Sequence, residues 1–324
     1  MTIFTFWWPT NESRSKEAEK QLLDLIKVPY EMELVQLSSN RCINTFKMKS
    51  TQETDALVLT HGFASGLGYF FRNFPHLSVL NMDGISVYAI DWAGKGRSSR
   101  TPMKSLHLDD VEDYFVDSLE EWRIKMNIKQ MILFGHSFGG YLSTVYAIKY
   151  PMNVKTLILC SPVGFPEKPL YNYRAPPTWI RICWEWNITP QVLLRLLGPF
   201  SQLVVSTMAG NRFKFLSATE LELLENYMLH INLDCGAGEF AMSPLLLPGA
   251  YAKSPLIRRF KNVKCPTTFI YGKQDWMHTS GGYDSIQSHP NSQLHKVVLC
   301  EGGHFCFLDD NFEEFNKLLI NIVR

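Results

Sequence analysis

Apolar residues recur along this chain in two alternating rhythms. Short continuous runs suit strands covered on both faces of a sheet: Ala56-Leu57-Val58-Leu59-Thr60, Val87-Tyr88-Ala89-Ile90, Met131-Ile132-Leu133-Phe134, Thr156-Leu157-Ile158-Leu159, Thr267–Tyr271 and Lys296–Leu299. Segments of helical period lie between several of them. From Asp109 to Lys125, Val111, Tyr114, Phe115, Leu119 and Trp122 share one face, and acids fill the first turn as the helix dipole favours. Phe138–Tyr150 reads as another helix. Ahead of these, Arg14–Lys27 places Ala18, Leu22, Leu25 and Ile26 on one stripe opposite charges, which predicts an N-terminal amphipathic helix. Tyr30–Leu37 and Cys42–Met48 alternate as a pair of strands. Strands alternating with helices specify the α/β class, with a mainly parallel, doubly wound sheet.

The alternation breaks between residues 165 and 261, where strand signals vanish and Pro- and Trp-rich segments surround helices. Ser217-Ala218-Thr219-Glu220 is a capping box that opens a helix through Leu221, Leu224 and Met228. The expected organisation is an N-terminal aromatic and amphipathic segment (1–28), a core (29–164 and 262–324) and a helical cap (165–261) over the strand ends. Trp179, Trp184, Trp186, Leu193, Leu194, Leu196 and Leu197 carry more apolar side chain than a small lid needs for its own interior, so an acyl-chain pocket or an interfacial surface is expected there. Phe4, Phe6, Trp7 and Trp8 cluster ahead of the first helix. Indole rings favour the bilayer interface, so a peripheral anchor and simple packing against the domain both stand as readings.

Composition narrows the class. Lys and Arg number 32 against 31 Asp and Glu, without a block of one sign, which argues against nucleic acid as a partner. The seven cysteines (Cys42, Cys160, Cys183, Cys235, Cys265, Cys300 and Cys306) are scattered and form no C-x-x-C pair. Reduced, mostly buried thiols are expected, with neither a metal nor a cofactor. The first nine residues lack the basic lead and cleavage site of a secretory signal, and no run approaches the roughly 18 apolar residues of a spanning helix. An intracellular chain with at most peripheral membrane contact is the expectation.

Candidate chemistry sits at the strand ends. Gly135-His136-Ser137-Phe138-Gly139-Gly140 joins the strand Met131–Phe134 to the helix Phe138–Tyr150. A serine flanked by glycines two positions away, on a turn between strand and helix, is the setting of an activated nucleophile, because the glycines let the two elements approach. Such a serine needs a base, a group that orients the base, and donors for the oxyanion. His304, in Glu301-Gly302-Gly303-His304 after the last strand, is assigned as the base. His230, His278, His289 and His295 read as surface or helix positions with solvated or hydrogen-bonded structural roles. Asp275, in Gly272-Lys273-Gln274-Asp275, is the expected acid, with a turn-forming role as its competing reading. The oxyanion donors are expected at the backbone N–H groups of Phe138 and of Phe63, preferred over Ala64, in the turn after an earlier strand. Asp91–Ser99 contains G-x-G but lacks the full phosphate-loop pattern, and reads as a loop bracing the catalytic turn.

Together His61-Gly62-Phe63, Asp91–Ser99, Gly135–Gly140 and Gly303-His304 resemble the α/β-hydrolase family across the whole chain. Gly96-Arg97-Ser98-Ser99-Arg100, Glu120-Glu121-Trp122-Arg123, Val163–Glu167 and His304–Asp309, with Trp8-Pro9-Thr10 and Lys16–Glu19, look like one branch of it. That branch holds the adipose triglyceride lipase co-activator, an N-acyl phospholipid lipase and fungal cardiolipin lipases. The resemblance implies a serine hydrolase of lipid esters, phospholipid or lysophospholipid, with acyl transfer to lysophosphatidic acid. It also implies attachment to a lipid droplet or membrane surface, mitochondrial membranes included. The His304-to-Asp309 spacing is the element linked in that branch to acyl transfer, although Asp309 reads here as a surface or helix-capping carboxylate. The co-activator carries Asn where this chain has Ser137, and animal members place their acid where this chain has His278. A non-catalytic droplet co-activator that binds a triglyceride lipase is the competing expectation.

Overall fold

The computed structural model describes residues 10–167 and 176–324, so the aromatic cluster at Phe4–Trp8 lies outside the described residues. Eight strands form the main sheet: β1 (Glu31–Gln36), β2 (Cys42–Met48), β3 (Asp55–Thr60), β4 (Ile85–Ile90), β5 (Met131–His136), β6 (Val154–Cys160), β7 (Thr267–Gly272) and β8 (His295–Cys300). Their order is β1-β2-β4-β3-β5-β6-β7-β8. β1 and β2 run antiparallel at one edge, and β2 meets β4 antiparallel. Every other pairing is parallel.

The described helices of eight or more residues, together with the seven-residue α5, are α1 (Glu12–Leu23), α2 (Leu108–Lys125), α3 (Phe138–Lys149), α4 (Thr178–Glu185), α5 (Pro190–Leu196), α6 (Ser201–Arg212), α7 (Ala218–Leu233), α8 (Ser280–Gln287) and α9 (Phe312–Val323). They cover both faces of the sheet, and the central strands show why their runs are continuously apolar. In β5, Met131 and Leu133 join the cluster under α2 and α3, while Ile132 and Phe134 join the opposite cluster with Leu319 of α9. Tyr88 and Ile90 of β4 likewise face one cluster, and Val87 and Ala89 the other. Alternation persists in the packing although both faces are dry.

The first helix is shorter than its apolar stripe suggests. Asn11 caps it by accepting from the Arg14 N–H at 2.9 Å, and it ends at Leu23. Leu25 and Ile26 continue in turns, with Ile26 still buried. Pro29 restricts Val28 and leaves no room for further helix.

The helical insertion joins β6 to β7, and its capping box at Ser217 and Glu220 forms with both reciprocal bonds. Two features differ from the expectation. A two-residue hairpin, Leu246–Leu247 with Tyr251–Ala252, interrupts the helices. Phe165, Leu245, Leu246, Leu256 and Phe260 also join the main core, so both ends of the insertion pack as part of the body. The apolar residues of its outer part face outward: Trp179, Trp186, Leu193, Leu196 and Leu197 are exposed, as are Phe200 and Leu203 at 67% and 70%. Trp184 alone of the three tryptophans turns inward, its indole N–H donating to the Leu246 carbonyl at 2.9 Å. Among the described residues no single helix is long and apolar enough to cross a membrane; Pro190–Leu196 and Gly198–Arg212 reach that apolar content only together, and they meet at a bend of 120°.

Candidate active site

Ser137 occupies the bend between β5 and α3 with φ 54° and ψ −115°. This left-handed conformation costs an L-residue about 1–3 kcal/mol and persists only where the surroundings enforce it. Its N–H donates to the Cys160 carbonyl at 2.9 Å, and its carbonyl accepts from the Val163 N–H at 3.2 Å. Glycine permits the compression: a Cβ on Gly139 would stand 2.5 Å from the His61 oxygen, and one on Gly135 would stand 2.6 Å from the Gly139 oxygen.

Three strand ends converge on this serine. Ser137 Oγ lies 3.0 Å from His304 Nε2, and His304 Nδ1 lies 3.0 Å from Asp275 Oδ1. The carboxylate can only accept from Nδ1–H, so a neutral His304 leaves Nε2 free to accept the serine proton. Asp275 Oδ1 also accepts from the Met277 N–H at 2.9 Å, and the Asp275 side chain is fully buried. The loops carrying Asp275 and His304 are laced together: the Gln274 N–H donates to the Gly302 carbonyl at 3.0 Å, and the Lys273 N–H to the Cys300 carbonyl at 2.9 Å. A Cβ on Gly272 would collide with the Gly302 and Gly303 carbonyls.

The His61–Phe63 turn closes the other side. A Cβ on Gly62 would stand 3.0 Å from Ser137 Cβ, so the backbone leading into Phe63 presses against the serine. The Phe138 N–H opens α3 and therefore has no intrahelical acceptor. Among the described residues the Phe63 N–H likewise donates to no protein group. Asp91 fixes this turn from behind. Its Oδ1 accepts from the Leu67 N–H at 2.8 Å, and its Oδ2 from the Arg97 N–H at 2.9 Å and Asn44 Nδ2 at 2.8 Å. His61 Nε2 accepts from the Trp92 N–H at 3.2 Å, and the Trp92 indole N–H donates to the His61 carbonyl at 3.1 Å. Burial pushes the His61 imidazole below its ordinary range, which keeps it the neutral acceptor this arrangement needs.

Some groups escaped sequence reasoning. Glu19 is buried and reaches this network from α1, accepting from Asn44 Nδ2 at 2.7 Å and pairing with Arg97 at 2.6 Å. Burial, then the Asp91 charge, raises the Glu19 carboxyl to about 7. Its neighbours Ala18 and Leu22 mark the helix as amphipathic, but nothing in that stripe distinguishes a buried Glu from a solvated one. His136 lies inside the glycine motif, which gives it no role of its own; its Nε2 lies 2.9 Å from the His304 carbonyl. Burial, followed by the adjacent His304, holds the His136 imidazole well below its usual range.

Other assignments change. Asp309 is not a surface group: it is buried under the loop that carries His304, its Oδ2 accepting from the Gly303 N–H at 3.2 Å and its Oδ1 from the Asn311 N–H at 3.1 Å. Desolvation raises its carboxyl to about 6. A Cβ on Gly302, which has φ +100°, would overlap it, so Asp309 shapes the loop that presents His304. His289 and His295 are not at the surface either, since they form a buried pair 3.1 Å apart, with His289 also bonded to the Val263 carbonyl at 3.1 Å. His230 is buried on α7 against Thr10, while His278 is exposed. All seven cysteines are unpaired. A cavity of about 420 Å³ adjoins His304, lined in part by Arg212, Phe215, Trp276 and Phe305.

A mainly parallel sheet of this strand order, carrying a serine at a sharp strand-to-helix turn and a histidine after the last strand, defines the α/β-hydrolase class. Residues 55–311 match the model of the alpha/beta hydrolase fold family, and the chain belongs to that family. Within it, the chain is 36% identical over 317 residues to a 1-acylglycerol-3-phosphate O-acyltransferase ABHD5 of Rattus norvegicus, covering 95% of this chain and 88% of that one. It is 33% identical over 312 residues to a (lyso)-N-acylphosphatidylethanolamine lipase of Mus musculus, covering 93% and 89%. These relatives match the branch that the sequence resembles. Among solved structures, the naproxen esterase of Bacillus subtilis superposes with a TM-score of 0.68 at 14% identity, covering 96% of this chain and 98% of the other.

Proposed function

We propose that the chain is a serine-dependent lipid acyl-ester hydrolase that also transfers acyl groups to a lysophospholipid hydroxyl. The continuous hydrogen-bonded path from Ser137 through His304 to Asp275 carries this reading. In it, His304 Nε2 takes the Ser137 proton as Oγ attacks the acyl carbonyl carbon. The Phe138 and Phe63 N–H groups receive the negative charge that develops on the carbonyl oxygen. Collapse breaks the ester C–O bond, His304 returns its proton to the leaving alcohol, and the acyl group stays on Ser137. Water, or the free hydroxyl of an acylglycerol phosphate, then gives its proton to His304 and accepts the acyl group. Hydrolysis and transfer differ only in that second acceptor. Asp275 holds the imidazole in the required tautomer and stabilises its cation.

Lipid as the substrate class is supported by the two relatives, an acyltransferase of 1-acylglycerol-3-phosphate and a lipase of N-acyl phospholipid. Work at a droplet or membrane surface is supported by the outward apolar residues around the bend at Leu197. A purely regulatory role beside a triglyceride lipase has no use for the aligned serine and histidine. The deciding experiment labels folded protein with a fluorophosphonate probe and runs a panel of phospholipid, lysophospholipid and acylglycerol esters. Wild type labels and Ser137→Ala does not; an unlabelled, folded wild type would return the chain to the regulatory role.

A further inference from the structure

Lys95 lies on the loop between β4 and α2 with only 6% of its surface exposed. Its ammonium sits 4.3 Å from the centre of the Phe63 ring and makes no hydrogen bond or ion pair among the described residues. The carboxylate whose charge reaches it across the cap is already engaged. Glu239 pairs with Arg195, whose Nη1 lies 3.1 Å away, and accepts from Thr189 at 2.9 Å. Asp234 faces Arg100 at 3.6 Å. Glu239 is thus committed to Arg195 and Thr189, and the buried Lys95 ammonium has no hydrogen-bonded counter-ion among the described residues.

The loop cannot carry Lys95 elsewhere to find a partner. Gly94 accepts from the Gly238 N–H of the cap at 3.0 Å, and a Cβ there would stand 2.4 Å from that nitrogen. Gly96 lies on the Asp91 carboxylate so closely that a Cβ would meet it at 2.1 Å. The backbone is therefore clamped on both sides of Lys95. A buried, unpaired ammonium is costly, and a ring face recovers only part of that cost. Desolvation accordingly pulls the Lys95 ammonium down to about 7, against the Glu239 charge and with those of Arg100 and Arg195.

We propose that Lys95 is the contact for the phosphate of a glycerolipid bound beneath the cap, and so selects phosphate-bearing lipids over neutral ones. This deepens the enzymatic reading and rests on it for the lipid. A compact ammonium suits a phosphate oxygen, and the unpaired Lys95 charge is what one anion would neutralise. Phe63 links the two parts of the site, because its ring holds the Lys95 ammonium and its backbone borders Ser137. Phosphate bound at Lys95 would set the distance from head group to reacting carbon.

Binding is measured on Ser137→Ala protein, which removes turnover, using 1-acylglycerol-3-phosphate, 1-acylglycerophosphoglycerol and 1-monoacylglycerol. Titrations are repeated with Lys95→Met and Lys95→Arg added. With Lys95→Met the dissociation constants for the two phosphate lipids rise by about tenfold or more relative to that for monoacylglycerol. Lys95→Arg recovers most of the preference. A rise confined to the first lipid assigns the contact to a phosphate monoester, and a rise for both to phosphate generally. Equal effects on all three lipids, or none, overturn the proposal. A thermal melt of Lys95→Met at or above that of its parent shows that lost folding is not the cause. Because no step depends on an active serine, a failure to label wild type would sink the enzymatic reading and leave this result standing on its own.

Discussion

His136 donates from Nε2 to the carbonyl of His304 at 2.9 Å, while the next residue, Ser137, meets the His304 ring at 3.0 Å. Two consecutive residues of the elbow thus hold the backbone and the side chain of His304. Replacing His136 with Ala frees the His304 carbonyl and enlarges the space beside Phe305 and Phe307, whose rings it touches. We expect kcat to fall about tenfold or more, with KM little changed, because misplacing a catalytic group acts on the reacting geometry. His136→Gln, which keeps a donor, should recover part of the rate in an esterase assay.

Asp275→Asn tests the tautomer. An amide NH₂ facing Nδ1 favours the proton on Nε2, where it can no longer accept from serine. A loss in kcat of about 10² to 10⁴ is expected, against a change in melting temperature of a few degrees. Esterase kinetics paired with calorimetry separate the two quantities, and a rate within threefold of wild type would remove Asp275 from the mechanism.

At Gly139 the argument is steric. A methyl group there meets the His61 carbonyl at 2.5 Å and the Thr60 carbonyl at 2.8 Å, both backbone atoms of the turn that borders the serine. Gly139→Ala should lower stability by about 1–3 kcal/mol and slow fluorophosphonate labelling beyond what the unfolded fraction explains. Urea titration together with labelling rates provides the check.

Glu19 gives a pH prediction whose sign follows from its direction of shift. Its folded value of about 7 exceeds the ordinary 4.5, so the folded chain holds a proton that the unfolded chain releases between those values. The contribution of this group to stability is complete below about 4.5 and is lost as pH rises through 7. Glu19→Gln copies the protonated form, so its melting temperature relative to wild type should climb by a few degrees between pH 5 and pH 8. A difference that stays flat over that interval would show that Glu19 does not titrate there.

The outward apolar residues of the cap give a prediction about location. Phe200→Glu with Leu203→Glu places two charges on side chains that are 67% and 70% exposed, without disturbing the core. Flotation with phosphatidylcholine vesicles or artificial droplets should fall by about fivefold or more, while hydrolysis of a short soluble ester stays near wild type. Unchanged flotation would move the membrane contact away from the bend.

The fold and the meeting of Ser137 with His304 were legible because each left a local signal. Glycines two residues either side of Ser137, a strand before it and a helix after it specify a shape that only short-range sterics can produce. Gly302-Gly303 ahead of His304 did the same for the last loop. What stayed hidden depends on contacts between distant segments. Glu19 and Lys95 look like ordinary surface charges until α1 and the cap close over them, and the buried pairing of His289 with His295 has no periodic mark. The cap left two readings open, a pocket or an interfacial surface, because apolar residues at helical spacing look alike whether they face an interior or open outward; the exposed side chains agree with the second.

The insertion between β6 and β7 supplies neither Ser137, His304 nor Asp275, all of which hang from strand ends fastened by main-chain bonds. The roof can therefore change in sequence without displacing any of these three side chains, as long as its two ends stay packed into the body.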